Sequence, residues 1–143
     1  MFTSPVRFVM DRRKLLTAAP ETTVLEASRL MMKRNTGAVL VVRQDQLIGI
    51  FTERDTVFRV IAQGRDPGTT TLAEVMTPSP RTVGPDKSFG YAMLQMHEVG
   101  CRHLPVVENG RAIGIVSARN ALDPDLEEFA HEVLRRKRIL EIG

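Results

Sequence analysis

The chain repeats itself. Shifted by 65 residues, it meets its own sequence without a gap from Thr17 to Val57. Thr17 falls on Thr82, Pro20 on Pro85, Ala27 on Ala92, Met31 on Met96, Val41-Val42 on Val106-Val107, Ile48-Gly49-Ile50 on Ile113-Gly114-Ile115 and Arg54 on Arg119. Ten of 41 aligned positions are identical, where ordinary residue usage gives about two or three. Most are apolar, Gly or Pro positions, where packing and backbone geometry are set. A duplicated unit fixes the architecture before any single residue is read.

Each copy reads as β-α-β-β-α. An extended piece ends at Pro20 or Pro85, and Thr23 or Ser88 can cap the helix that follows. Val24, Ala27, Leu30, Met31 and Arg34 keep helical spacing in the first copy, as do Phe89, Ala92, Met93 and Met96 in the second. The expected helix exits are Gly37 and Gly100, residues at ease with left-handed backbone. Ala38–Val42 and His103–Val107 are short and β-branched, and Leu47–Phe51 and Ala112–Val116 return as their hairpin partners. A further helix starts at Thr52 or Ser117. Turn-rich Gly64–Thr69 links the copies, and Val75-Met76-Thr77-Pro78 is expected to lead into the second. Asp123-Pro124 reads as a helix start, with Leu126, Phe129, Val133 and Leu140 on one face of an amphipathic terminal helix. The boundaries are 7–66, 67–123 and 124–143. The fold class is α+β, with the two repeats forming one module.

Composition narrows the class of function. Apolar residues make up 43% of 143 and charged residues 26%, enough for a core without disulfides. One cysteine, Cys101, excludes an internal disulfide and fits a cytoplasmic setting. No apolar run approaches a membrane span, and the N-terminus lacks a signal-peptide pattern. A net charge of +3 and a pI near 9.5 mildly favour anionic partners.

These residues resemble the CBS-domain family of tandem repeats, also known as Bateman modules. The carriers are Val75-Met76-Thr77-Pro78, Arg102-His103-Leu104-Pro105-Val106-Val107, and the two tails Ile48–Asp55 and Ile113–Asn120. The resemblance runs from about residue 7 to residue 122. It implies two motifs packed through their sheets with pseudo-two-fold symmetry, in a module that often pairs into a homodimer. It also implies a regulatory ligand bearing adenosine, such as AMP, ADP, ATP, S-adenosylmethionine or NAD, in the clefts between motifs, and no catalytic cofactor.

The candidate site residues follow from the matching positions. The resemblance makes Thr52 a phosphate contact and Asp55 a ribose contact, with Arg54 between them. A hydroxyl can donate to phosphate, and a carboxylate accepts from vicinal ribose hydroxyls. Thr-x-x-Asp is also a capping box, and a capping Thr can still face a ligand. In the second copy Ser117, Arg119 and Asn120 match, but Asn120 lacks the charge. The Asp55 site is therefore expected to bind more tightly, or the Asn120 site to be empty or to accept another group. Arg102 suits phosphate through its forked donors, while His103 reads either as a contact or as a half-buried structural residue. Leu104 and Pro105 follow them in the strand. The first copy has Gly37 and Ala38 there, so the clefts are expected to differ. Thr17, Ala18, Thr82 and Val83 lie at the repeat entries, where the family offers backbone to adenine and where plain strand-edge packing is an equal reading.

Enzymatic chemistry has little to stand on. His97, His103 and His131 form no metal-ligand spacing, Cys101 lacks an orienting third group, and there is neither a Walker loop nor a Gly-x-Gly-x-x-Gly turn. The alternative is a protein- or nucleic-acid-interaction module using the basic run Arg135-Arg136-Lys137-Arg138. Such runs are usually solvated faces, and no nucleic-acid-reading motif accompanies this one. A subunit acting on a separate enzyme or transporter is compatible with the ligand reading, its downstream effector unnamed by the sequence.

Overall fold

In the computed structural model, residues 2–12, 15–121 and 132–138 are described. The first repeat begins with β1 (Thr17–Ala18) and α1 (Val24–Arg34). β2 (Ala38–Arg43) and β3 (Gln46–Thr52) form an antiparallel hairpin, and α2 (Glu53–Asp55) runs on into a wider π-type turn over Thr56–Ile61. A short α3 (Leu72–Val75) and β4 (Thr77–Pro78) come next. α4 (Phe89–Val99), the hairpin of β5 (His103–Glu108) and β6 (Arg111–Ser117), and a 3-10 turn at Ala118–Ala121 complete the second repeat. Among the described residues no helix is long and apolar enough to cross a membrane.

Local chemistry explains these elements. Thr23 Oγ1 accepts from Glu26 N–H at 3.2 Å and Ser88 Oγ from Tyr91 N–H at 3.1 Å, which caps α1 and α4. Both helices exit through left-handed residues. The second uses Gly100 (φ 78°) as expected, but the first uses Asn35 (φ 51°), not Gly37. Asn35 aligns with Gly100 in the repeat, and Asn tolerates this backbone region. The hairpin turns are built on Gln44 and Asp45 (φ 52° and 63°) and on Asn109 and Gly110 (φ 53° and 79°). Positive φ at both central positions matches the twist of the flanking strands.

The lead-in segments are exchanged between repeats. Sequence order put Val75–Pro78 at the head of the second copy, yet Leu72 and Val75 are buried in the first core with Val24, Ala27, Val39, Val41 and Phe51. β4 pairs antiparallel with β3, giving the order β1-β2-β3-β4. The second core is closed by the N-terminus. Val6 and Met10 pack with Val83, Phe89, Ala92, Met96, Leu104, Val106 and Val116. Backbone bonds repeat the same pattern. Leu72 N–H donates to Thr22 C=O at 2.9 Å, and Val6 N–H donates to Lys87 C=O at 2.8 Å. The bridge from Asp11 to Ile115 does for β6 what Thr77 opposite Ile50 does for β3.

A third cluster joins the halves. Ala38, Leu40, Ile50 and Ile115 are buried together, flanked by Leu15, Val42, Leu47 and Ala112. Apart from Leu15, which precedes β1, these are residues of β2, β3 and β6, so the two sheets meet face to face. The α+β pair packed sheet to sheet is therefore present as expected. Of the terminal helix, residues 132–138 are helical with Val133 and Leu134 exposed. Leu126, Phe129 and Leu140 lie outside the described residues.

Two glycines mark where the exchanged segments press on the strands. A Cβ on Gly114 would lie 2.6 Å from Met10 Sδ and 3.0 Å from its Cγ, and a Cβ on Gly49 would overlap the Met76 sulfur. Gly114→Ala should thus destabilise the protein by about 1–3 kcal/mol, the usual cost of overpacking. Urea denaturation checks this, with a lowered midpoint as the expected result.

Candidate functional site

The two hairpins end side by side. Ala38 pairs with Thr52 at the base of one, and His103 with Ser117 at the base of the other. Each base is tied in the same way, since Glu53 N–H donates to Gly37 C=O at 2.9 Å and Ala118 N–H to Arg102 C=O at 3.0 Å. Where the bases meet, a cleft of about 360 Å³ opens. That volume lies within the range of small-molecule sites. One wall carries Arg102, His103, Ser117, Arg119 and Asn120, and the other carries Asn35, Thr36, Gly37 and Glu53.

Six expected site residues are brought together here: Gly37, Arg102, His103, Ser117, Arg119 and Asn120. Ser117 N–H and Oγ both donate to Asn120 Oδ1, at 2.7 and 3.3 Å. That bond holds the first turn beyond β6 in place and leaves the lone pairs of Ser117 Oγ open to a donor. Arg102 and Arg119 are exposed, and neither is in a salt bridge among the described residues.

The equivalent junction in the first repeat is a complete capping box. Thr52 N–H and Oγ1 donate to Asp55 Oδ2 at 2.9 and 3.1 Å, and Asp55 N–H donates back to Thr52 Oγ1 at 3.3 Å. The other oxygen, Oδ1, faces Arg59 Nε at 3.4 Å. Arg59 in turn donates to Val75 C=O and Met76 C=O at 3.2 and 3.3 Å. Asp55 thus braces the exchanged segment through Arg59. Arg54 lies over the Phe58 ring at 4.5 Å.

The remaining residues are placed by the sheets. Thr17 and Ala18 pair with Leu40 and Val41 at the edge of the first sheet, and Val83 bridges Val106 next to Thr82. The side chains of Val83 and Leu104 lie in the second core, Pro105 is buried and Ala38 lies between the sheets. These residues can offer a cleft only backbone groups. Sequence reasoning missed Asn35, Thr36, Glu53 and Asp11. The repeat offered no signal for Glu53, which aligns with Ala118, and Asp11 arrives only with the exchanged N-terminus.

Electrostatics separate the titratable groups. Burial pushes the Cys101 thiol above its ordinary value, against the thiolate a nucleophile needs. Burial also lowers His103, and Arg119 and Arg102 add to that, while the Glu53 carboxylate pulls it back. Among the described residues no three His, Cys, Asp or Glu side chains are grouped to hold a metal.

The family model of the CBS domain matches this chain twice, over residues 6–61 and 72–127. This chain belongs to the CBS-domain family. The CBS domain-containing protein YhcV of Bacillus subtilis is 38% identical over 104 residues, 73% of this chain and 74% of that protein. A crystal structure of a CBS-domain protein from Burkholderia ambifaria MC40-6 superposes with a TM-score of 0.80 at 32% identity, covering 87% of this chain and 95% of that one. The fold is shared with the CBS domain pair of protein MJ0100 in complex with 5′-methylthioadenosine and S-adenosyl-L-methionine, at a TM-score of 0.77 and 23% identity over 87% and 98% of the two chains. The chain spans 66% of a Methanopyrus kandleri relative and 20% of an Arabidopsis thaliana one.

A buried imidazole with a lowered pKa binds protons less readily in the folded pair than in the unfolded chain. Between the lowered value and the ordinary 6.5 the unfolded state holds more protons, so stability falls as pH drops through that window. Thermal melts between pH 7.5 and 5 should show this loss, and His103→Gln should flatten it.

Proposed function

We propose that this CBS pair is a regulatory module, not an enzyme, and that it binds an adenosine-containing ligand in the cleft beside Ser117. The observation that carries the reading is the cleft itself. Two exposed guanidinium groups, neither in a salt bridge among the described residues, and a Ser hydroxyl line a space of about 360 Å³ between the repeats. Forked donors suit a phosphate, and the Glu53 carboxylate supplies acceptors for ribose or amine groups. The MJ0100 pair, a neighbour of the same fold, holds two adenosine ligands. Because the walls come from different repeats, a ligand there would bias how the sheets sit against each other, which is the differential interaction a sensor needs.

This reading shifts the expected balance between sites. Sequence alone favoured Asp55 as the stronger anchor. Its carboxylate is engaged by Thr52 and faces Arg59, so a ligand there would have to share it. The Ser117 cleft has the uncommitted donors.

The test is a thermal-shift panel with adenosine, AMP, ATP, NAD and S-adenosylmethionine, because a ligand bound to the folded state raises apparent stability. At least one is expected to raise the melting temperature. Arg102→Ala should weaken that ligand by about 1.5–3 kcal/mol in calorimetry, the range for a charge-assisted hydrogen bond. A panel without any shift would overturn the reading.

We infer in addition that the pair forms homodimers. Val57, Phe58 and Ile61 are 54%, 55% and 59% exposed on one stretch of helix. Clustered apolar exposure of this kind marks an interaction surface. Phe58→Glu should convert the protein to a monomer in analytical ultracentrifugation without lowering its melting temperature in dilute solution. An unchanged mass would count against this face.

A further inference from the structure

One residue of the cleft does not fit a simple anion site. Glu53 comes from the first repeat and lines the same space as Arg102 and Arg119. Its carboxylate lies beside Gly37, where a Cβ would come 2.9 Å from Glu53 Oε1 and 3.1 Å from the carboxyl carbon. Its backbone N–H is fixed to Gly37 C=O.

The repeat makes the arrangement asymmetric. Gly37 aligns with Arg102 and Glu53 with Ala118. One copy therefore carries glycine and an acid where the other carries arginine and alanine, and the cleft brings both pairs to opposite walls. Arg102 and Arg119 supply positive charges from one repeat, and Glu53 supplies a negative one from the other. Among the described residues Glu53 forms no salt bridge that would cancel its charge.

We propose that Glu53 is a specificity residue that limits the negative charge of the ligand. A monophosphate can be matched by the two guanidinium groups. A triphosphate brings further negative charge toward the exposed carboxylate and is repelled, an interaction that salt screens. The proposal rests on the adenosine reading of this cleft.

The experiment is calorimetric titration of adenosine, AMP and ATP into the wild-type protein and the isosteric Glu53→Gln variant, at low and moderate salt. Wild-type protein should bind AMP at least about tenfold more tightly than ATP, and Glu53→Gln should gain about tenfold for ATP while adenosine changes less than about twofold, the scale of one nearby charge. The difference should shrink with salt. A second readout needs no ligand: the His103 imidazole, which Glu53 holds up, should titrate at lower pH in Glu53→Gln. If the three compounds bind and the AMP-to-ATP ratio is the same in both proteins, Glu53 has no such role and the adenosine reading stands. If none of the three binds, the Glu53 role falls, and the adenosine reading falls with it when NAD and S-adenosylmethionine fail to bind as well. An unmoved His103 midpoint would show that the carboxylate does not face the cleft and would overturn the Glu53 role.

Discussion

Each half of this molecule is closed by a segment that precedes the other half in sequence. Leu72 and Val75 seal the first core, and Val6 and Met10 seal the second. Without the exchange, each hairpin would expose one sheet edge and part of an apolar core to water. Two such units cannot drift apart, because separating them would strip Met76 from Gly49 and Met10 from Gly114. The pair is one cooperative body for this reason, and the cleft between the hairpin bases inherits its shape from that constraint.

The exchange also links structure to the candidate function. Asp55 caps its helix and faces Arg59, and Arg59 grips the carbonyls of Val75 and Met76 on the exchanged strand. The first junction has become a brace. The second keeps its local cap through Ser117 and Asn120 but leaves Arg102 and Arg119 exposed, without a salt bridge among the described residues. Duplication supplied two equivalent junctions, and a few substitutions made them differ.

Much of the fold was legible. Thr23 and Ser88 as caps, both hairpins and Gly100 as an exit follow from short-range hydrogen bonds and backbone preferences, which neighbouring residues decide. Gly37 was read as an exit because glycine signals the left-handed region, whereas α1 leaves through Asn35, two residues earlier. Val75–Pro78 falls within the second family match over 72–127, as expected, yet it packs on the first sheet, because sequence order says nothing about which sheet a connecting strand joins. The candidate site was half legible. Arg102, His103, Ser117, Arg119 and Asn120 follow from the positions that resemble the CBS family, but Asp11 and Glu53 reach the cleft only through packing between halves.

The residue order by itself determined the duplication, the element types and the capping chemistry, because each depends on side chains a few positions apart. Tertiary structure alone decided which lead-in closes which core and which charges face one another across the cleft. Those outcomes depend on the burial of Ala38, Leu40, Ile50 and Ile115 between the sheets. That contact joins residues up to 77 positions apart, and no local pattern encodes it.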